Sequence, residues 1–356
     1  MKIMKCIVCV GACLIVGYTG LFAFQYMTDR DRKEIDELKK IQPSREAIEL
    51  ELIRSFPTDD EKAAGPYFAI AFRMAMDSNG IIYITDQRTD AIYKIDSSGK
   101  YLGQIGTSGQ GPGDLSMPMK IKIVNDEIIV QEAGNMRLQY FDMQGNHKKA
   151  TRLFKSYHDL DILQDGRIIG TLLHVEPHQS DVLIDVLSSE GMKIRSFGIP
   201  IEFKYDRSSL NARMIFINSK NEIIQIFQKL ALIQLYSLQG HLIQEKRLET
   251  EFSYIKEKIN RRMNSYRPKK RVGYLTVFRR ASVLEDHVFI VDSVPPRIWI
   301  WEVDEKIEIT RRYWADVGSY FYVRDMMTVK ENNKIKFYLL GDIGEDVTKI
   351  HVFAKK

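Results

Sequence analysis

Short runs of β-branched and aromatic residues alternate with polar turns along most of the chain. The pattern recurs about every 40 residues, a period that is typical of repeat architectures. The first copy places β-rich runs at 74–77, 81–85 and 92–96, with turns that end in Gly80 and Gly99. Each copy therefore predicts several short strands joined by tight hairpins.

Six copies can be aligned on shared features. Three of them carry an acidic residue after the second strand and an apolar residue six positions later. These pairs are Asp86 with Ile92, Glu132 with Leu138, and Asp292 with Ile298. The inner turns also recur, with residues that favour hairpin bends. They are Asn125-Asp126, 164–166, Lys220-Asn221, Glu285-Asp286 and Asn332-Asn333.

The repeat predicts a closed ring. A four-stranded sheet cannot bury both faces alone, so neighbouring copies must stack around a circle. The last copy lacks one strand, whereas the alternating segment Ile48–Phe56 precedes the first copy. We predict that this segment becomes the outer strand of the last blade. The predicted fold class is an all-β, six-bladed β-propeller over residues 46–356, with an N-terminal strand closing the last blade.

Composition narrows the function only slightly. The net charge of +5 is mild and 44% of residues are hydrophobic, and no nucleic-acid-binding motif is present. We therefore expect no nucleic acid partner. The cysteines Cys6, Cys9 and Cys13 all lie in the N-terminal apolar run, which leaves the predicted propeller without disulfides. No cofactor and no metal site are expected.

Residues 6–27 form an uncharged run that is long enough to cross a bilayer. Three interpretations stay open: an uncleaved signal anchor over residues 1–27, a cleaved signal peptide, and a lipoprotein signal at Cys13. Only the anchor accounts for the whole run. The charged segment 28–45 is expected to be a linker or a short stalk.

The charges around the run predict its orientation. Lys2 and Lys5 favour an inside N-terminus, although Arg30, Arg32 and Lys33 oppose this. We expect a single-pass protein of the cell membrane, with a monomeric propeller on the periplasmic or extracytoplasmic side.

A basic insertion at about residues 250–280 interrupts the repeat. Its first half predicts a helix over 251–263, with Phe252, Ile255 and Ile259 on one stripe. The cationic residues that follow could bind an acidic glycan, a phosphate-bearing ligand or an acidic protein, or could simply be solvated. They are Arg261, Arg262, Arg267, Lys269, Lys270 and Arg271.

The innermost strands should begin at equivalent points and line one mouth of the channel. The residues there are unusually polar, and their arginines suit a carboxylate or a phosphate by bidentate pairing. The alternative is that the charges pair with one another and plug the channel. The set is Arg73, His158, Asp159, Arg213, Arg279 and Asp325.

Catalytic signals are weak. His174 and His178 flank Glu176 and Pro177, but the spacing is not that of a zinc-binding helix. The glycine-rich segment 106–114 lacks the Lys-Ser/Thr of a phosphate-binding loop. No nucleophile elbow is present, so no catalytic residues are assigned.

The chain resembles the NHL-repeat type of six-bladed β-propeller, and most closely the extracytoplasmic members found in Bacteroidetes-like bacteria. The resemblance rests on the turn Gly106–Asp114, on Met117-Pro118, and on the acidic-to-apolar spacing already described. It implies ligand or protein binding, usually without a defined activity. Some relatives are lyases or lactonases whose channel metal is held by His, Glu, Asn or Asp.

Two functions of different class therefore remain. The first is a membrane-anchored extracytoplasmic propeller that binds or scaffolds an unknown protein or an anionic ligand at the channel mouth. The second is a metal-assisted lactonase- or lyase-like enzyme with its site in the channel, for which His158 and Asp159 are the nearest candidates.

Overall fold

The structure is a computed structural model of the whole chain. It describes residues 27–57, 68–172, 182–203, 205, 207–265, 274–318, 321–343 and 348–356.

Four antiparallel sheets follow one another along the chain, each with four consecutive strands. The first contains β2 (Ala71–Met76), β3 (Ile82–Asp86), β4 (Ala91–Ile95) and β5 (Tyr101–Ile105). The second contains β6 (Pro118–Val124), β7 (Glu127–Glu132), β8 (Arg137–Asp142) and β9 (His147–Arg152). The third contains β10 (Tyr157–Ile162), β11 (Ile168–Leu172), β12 (Ile184–Leu187) and β13 (Lys193–Phe197). The fourth contains β14 (Arg213–Ile217), β15 (Ile223–Phe227), β16 (Leu232–Tyr236) and β17 (Leu242–Arg247).

The remaining strands form one eight-stranded sheet of order β18-β19-β20-β21-β1-β24-β23-β22. Its first half contains β18 (Arg280–Leu284), β19 (His287–Val294), β20 (Arg297–Val303) and β21 (Ile309–Asp316). Its second half contains β22 (Phe321–Glu331), β23 (Lys334–Ile343), β24 (Lys349–Lys355) and the early strand β1 (Ile48–Phe56). The halves are joined by a short parallel pairing, in which Ile48 and Glu49 lie opposite Tyr313 and Trp314.

The inner strands close a circle. Each of β2, β6, β10, β14, β18 and β22 contacts the next one, and β22 contacts β2. Each is paired on one side only, at the inner edge of its sheet. A circular stack of sheets with its first strands at the centre is a β-propeller.

The predicted closure is confirmed. Strand β1 pairs antiparallel with β24, from Leu50 opposite Lys355 to Phe56 opposite Ile350. The outer strand of the last unit therefore comes from the other end of the chain. This pairing covers the edge that β24 would otherwise expose, which is how ring closure protects sheet edges.

Apolar clusters fill the space between neighbouring sheets. Between the first two sheets, Ile92 and Ile105 pack with Val130 and Phe141. The last and first units share a comparable cluster, and it includes Phe56 of the early strand. Burial of each such side chain contributes about 1.5–3 kcal/mol, so stacking between sheets stabilises the ring.

The predicted inner turns adopt the backbone that their residues suggest. Asn125 and Asp126 both have positive φ, as do Asn332 and Asn333. Two consecutive left-handed residues are the requirement of a tight two-residue hairpin. Asn and Asp tolerate that conformation better than most side chains.

Three helices accompany the strands of the described chain: α1 (Asp29–Leu38), α2 (Arg207–Leu210) and α3 (Ser253–Ser265). The helix predicted in the insertion is confirmed as α3, with Ile259 of the helix and Phe252 just before it both buried. Helix α1 lies within the segment expected to be a stalk, but it packs against α3 through Ile35 and Leu38.

No helix in the described ranges is both long and apolar enough to span a bilayer. The predicted anchor over residues 1–27 falls outside the described residues, apart from Met27. Membrane attachment therefore stays a prediction.

Loss of the Phe56 side chain should destabilise the closed ring. Phe56 is 1% exposed, whereas Leu52 of the same strand is 47% exposed. We expect Phe56→Ala to lower the free energy of unfolding by about 3–5 kcal/mol, and Leu52→Ala to change it by about 0.5 kcal/mol. Urea denaturation measures both values. Equal costs would contradict a packed closing strand.

Candidate functional site at one end of the channel

The inner strands meet at their N-terminal ends around a small cavity of about 40 Å³. Every inner strand from β2 to β18 contributes at least one side chain to its wall. The lining residues are Phe72, Arg73, Met119, His158, Asp159, Arg213, Met214, Gln228 and Arg280. We call this space the cavity and this end of the ring the cavity end.

Four of the six residues predicted for the channel mouth line the cavity: Arg73, His158, Asp159 and Arg213. In the fifth unit the wall is formed by Arg280, not by the expected Arg279, whose guanidinium lies over the ring of Tyr322 at 5.0 Å. Asp325 lies beside the wall, where its Oδ1 is 3.9 Å from the Nε of Arg73.

The shift from Arg279 to Arg280 has a simple cause. The expectation that the inner strands begin at equivalent points holds only where the strands and their turns have equal lengths. In the fifth unit Leu284 pairs with His287, so the turn has only two residues. In the first unit Met76 pairs with Ile82 across a longer turn. A slip of one residue moves a strand's side chains to the other face.

The two aspartates join neighbouring inner strands. Asp159 Oδ2 accepts the N–H of Ile215 at 3.0 Å, and Asp325 Oδ2 accepts the N–H of Met74 at 2.8 Å. Each bond crosses from one sheet to the next. An inner strand has no ladder partner on its channel side, so these carboxylates satisfy backbone donors that would otherwise lack a protein partner.

The two carboxyl groups respond differently to burial. Burial raises the pKa of Asp159, but Lys120 and Arg73 outweigh that effect and hold it below its usual value. Lys120 Nζ lies 3.1 Å from its Oδ1. For Asp325 burial dominates over Arg73, so its pKa is raised. Asp159 is therefore the firmly ionised member of the pair.

The arginines of the wall are held mainly by carbonyl oxygens. Arg213 is 1% exposed, and its Nη2 donates to the carbonyls of Leu172 at 2.9 Å and Leu183 at 2.6 Å. Its Nε is buried without a hydrogen-bond partner in the described chain. No carboxylate of the described residues forms an ion pair with Arg213.

Two further guanidinium groups converge on one oxygen. Arg73 Nη1 donates to the carbonyl of Arg324 at 3.1 Å, and Arg280 Nε donates to the same carbonyl. Burial, and after it the nearby positive charge of Arg73, lower the pKa of Arg280 to about 9. Two positive charges this close in a buried site repel each other, and a bound anion would stabilise them.

The cavity therefore carries an excess of positive charge. Among the described residues, Arg73, Arg213 and Arg280 line it with one carboxylate, that of Asp159, which is already paired with Lys120. Asp325, beside the wall, forms an ion pair with one of these arginines, Arg73. Burial lowers the pKa of Arg213 to about 9, and a group with that pKa is still charged at neutral pH.

His158 forms the uncharged part of the wall. Its Nε2 lies 3.3 Å from Gln228 Oε1. Burial lowers the pKa of His158 to about 4, although Asp159 acts in the opposite direction. The imidazole is therefore neutral at neutral pH and can donate or accept a hydrogen bond without adding charge.

Sequence reasoning missed Lys120, Gln228 and Arg280. Lys120 lies one position beyond Met119, and Gln228 follows β15. Gln228 reaches the cavity because the second strand of a unit ends where the first begins. The ends of the second strands therefore also mark residues of the cavity wall.

Of the cations expected to bind a partner in the basic insertion, the two that the structure describes already form ion pairs. Arg261 Nε lies 2.8 Å from Glu257 of the same helix. Arg262 pairs with Asp31 and, at 3.0 Å, with Glu34, both on α1. The side chain of Arg261 is 48% exposed and that of Arg262 is 20% exposed, so binding of an acidic partner by the insertion stays a prediction. Arg267, Lys269, Lys270 and Arg271 lie outside the described residues.

The motifs set aside as weak also have structural positions. In the glycine-rich segment the carbonyls of Gly111 and Asp114 accept from Arg137 Nη2 at 3.0 and 2.9 Å. The segment therefore joins the first two sheets. His174, Glu176 and His178 lie outside the described residues. Within the described ranges, no three His, Cys, Asp or Glu side chains group as metal ligands.

These features define a β-propeller with a small, cation-lined cavity at one end of its channel. A family described as a 6-bladed beta-propeller, DUF5128, matches residues 73–167. No curated protein sequence matches the chain.

Several solved structures are similar in fold. A candidate exported protein of Bacteroides fragilis superposes with a TM-score of 0.57 at 14% identity, covering 89% of this chain and 98% of its own. A member of the DUF4221 family from Bacteroides vulgatus gives 0.55 at 12% identity, covering 88% and 98%. A streptogramin B lyase gives 0.52 at 14% identity, covering 85% and 87%. At these identities the similarity shows the fold alone.

The neutral His158 should make the protein acid-sensitive. The unfolded chain takes up a proton on this residue near pH 6.5, but the native protein does so only near pH 4. The native state therefore loses stability as the pH falls between these values. We expect His158→Gln to lose less of its free energy of unfolding than the wild type between about pH 7 and about pH 5.

Urea denaturation at both pH values measures this difference. The matched control is His241→Gln, because His241 is exposed on a turn. An acid sensitivity that is unchanged in His158→Gln, or reduced equally in both variants, would contradict a buried neutral imidazole.

Proposed function

We propose that this protein is an extracytoplasmic, membrane-attached β-propeller that binds the acidic group of a ligand in the cavity. One observation carries the proposal: Arg73 and Arg280 donate to one shared carbonyl, with Arg213 in the same wall, where Asp159 is the only carboxylate among the described lining residues. A bound carboxylate or phosphate group would supply the missing negative charge and accept hydrogen bonds from these guanidinium groups.

The size of the cavity limits what enters it. A site needs roughly 10–15 Å³ for each water molecule, so about 40 Å³ accommodates about three waters or one small anionic group. Sites for complete drug-sized ligands are far larger, at about 300–1,000 Å³. A larger ligand would insert its acidic group and leave its remainder outside the cavity.

We count the eight-stranded sheet as two blades, which gives a six-bladed ring. Its halves are each four-stranded, and their inner strands β18 and β22 contact each other as the other inner strands do. The description of the matching family supports that count. The finer assignment to NHL-type repeats is part of this proposal, and rests on the spacing from Asp86 to Ile92 and its equivalents.

The proposed location rests on the uncharged run over residues 6–27, which is long enough to span a bilayer. The similar fold of a candidate exported protein is consistent with it. The domain division that follows is an anchor over 1–27, a connecting segment over 28–45 and the ring over 46–356.

The other functions considered from the sequence have less support. A protein partner would need a surface, and the two described arginines of the basic insertion are already paired. A metal-assisted lyase or lactonase would need a ligand set around the channel. The described residues contain no cluster of metal-ligating side chains. Similarity to a lyase at 14% identity does not imply the same activity.

A matched pair of variants tests the anion site. Met119 lines the cavity, so Met119→Glu places a carboxylate among the arginines, whereas Met119→Gln has nearly the same shape without charge. We expect inorganic phosphate or acetate to raise the Tm of the wild type and of Met119→Gln, but not of Met119→Glu. A ligand at about a hundred times its Kd adds about 2.7 kcal/mol of stability.

Removal of a cation gives an independent test. We expect Arg280→Gln to weaken anion binding by about tenfold or more, because a hydrogen bond to a charged group contributes about 1.5–3 kcal/mol. The control is Arg311→Gln, since Arg311 lies on the outer strand β21 and pairs with Glu302, away from the cavity. A wild-type Tm that responds to no phosphate, sulfate or carboxylate would sink the proposal, as would an equal response of both Met119 variants.

A further inference from the structure

The connections between successive sheets begin and end at the cavity end. Each inner strand starts at the cavity end, and the second strand of the same sheet runs back to it. The fourth strand also ends there, and the chain then enters the next inner strand. The hairpin turns between the first and second strands, such as 77–81, lie at the opposite end. Long insertions between sheets therefore accumulate on one side of the ring.

Helix α3 is fixed to the cavity end. Its Glu257 Oε2 accepts the N–H of Ala231 at 2.8 Å, and Asn260 Nδ2 donates to the carbonyl of Lys229 at 2.9 Å. Both backbone groups lie in the turn that follows Gln228, a residue of the cavity wall. A third contact joins Lys256 to the buried Asp292, near the end of β19. These bonds hold the helix beside the cavity.

Helix α1 is in turn fixed to α3. Arg262 binds Asp31 and Glu34 of α1, and Asp31 also completes the capping box with Thr28. Beyond the helix, the carbonyl of Ile41 accepts from Arg297 Nη1 at 3.3 Å, and Arg297 begins β20 at the cavity end. Charged and apolar contacts therefore place α1 on the same side of the ring as the cavity.

No spacer separates the apolar run from the ring. Met27 is the last residue of that run, and it is 5% exposed, in one apolar cluster with Ile35 of α1 and with Ile259 and Met263 of α3. The chain therefore leaves the ring directly from the α1–α3 pair. A stalk over residues 28–45 would hold the ring away from its attachment point. These contacts instead hold the helix of that segment against the ring.

We propose that the cavity end faces the lipid bilayer, with α1 and α3 at the head-group surface and the hairpin turns such as 77–81 pointing away. This inference rests on the proposed membrane attachment through residues 6–27. A segment that emerges from a bilayer next to Met27 cannot reach around the ring, because Met27 is itself packed at that end. The acidic group that enters the cavity therefore approaches through the gap between the ring and the membrane.

The test uses the full chain, reconstituted in vesicles whose lipids carry a nitroxide quencher on the head group. Single cysteines in a Cys6→Ser, Cys9→Ser, Cys13→Ser background carry a fluorophore at Lys258→Cys on α3 or at Asn79→Cys in the turn 77–81. Both positions are exposed. We expect strong quenching at position 258 and none at position 79, which lies about 20 Å further from the bilayer across a six-residue strand.

Two charge reversals on α3 provide the matched comparison. Arg262→Glu places a carboxylate beside Asp31 and Glu34 and should release α1 from α3, so that quenching at position 258 is lost. Arg261→Glu reverses the neighbouring charge, which pairs with Glu257 and not with α1, and should keep the quenching. Circular dichroism of each variant reports that the ring is folded.

The outcomes separate this inference from the function on which it rests. A chain that does not float with the vesicles overturns membrane attachment and the orientation together. A chain that floats but shows equal quenching at both positions, or stronger quenching at position 79, overturns the orientation and leaves attachment intact. Unchanged quenching in Arg262→Glu contradicts the role given to the α1–α3 contact.

Discussion

The unpaired inner edge of each sheet is the constraint on which the ring depends. The inner strands have ladder partners on one side only, so their channel-facing N–H groups need other acceptors. Asp159, Asp161 and Asp325 provide them by accepting backbone N–H groups of the next inner strand. These bonds hold neighbouring sheets in register at the centre, while apolar clusters hold them together further out.

That solution has an electrostatic consequence. A buried carboxylate is costly unless a cation compensates it, and Lys120, Lys122 and Arg73 face these three aspartates. Arg213 and Arg280 add positive charge beyond that compensation. The channel end is therefore both a structural junction and a cationic cavity, which explains why its residues are predictable from the repeat while their charge balance is not.

The sequence led to correct predictions wherever a local pattern was sufficient. The helix over 251–263 followed from one apolar stripe and is present as α3, and the closing strand followed from the alternation of Ile48–Phe56. Local patterns could not show ion pairs between distant parts of the chain. Arg262 looked available because its partners Asp31 and Glu34 precede it by more than two hundred residues. Arg279 was expected in the cavity wall where the structure has Arg280, because the short turn of the fifth unit changes which side chain faces the cavity.

The sequence by itself determined the repeating strands, their hairpins and the need for a closed ring, because periodicity and turn chemistry act over short stretches of chain. Only the tertiary structure decided which charges meet in the cavity, which are already paired, and from which end of the ring the N-terminal segment leaves. Those outcomes depend on side chains such as Arg73 and Arg280, which are far apart in sequence and converge on one carbonyl only after the sheets have closed into a circle.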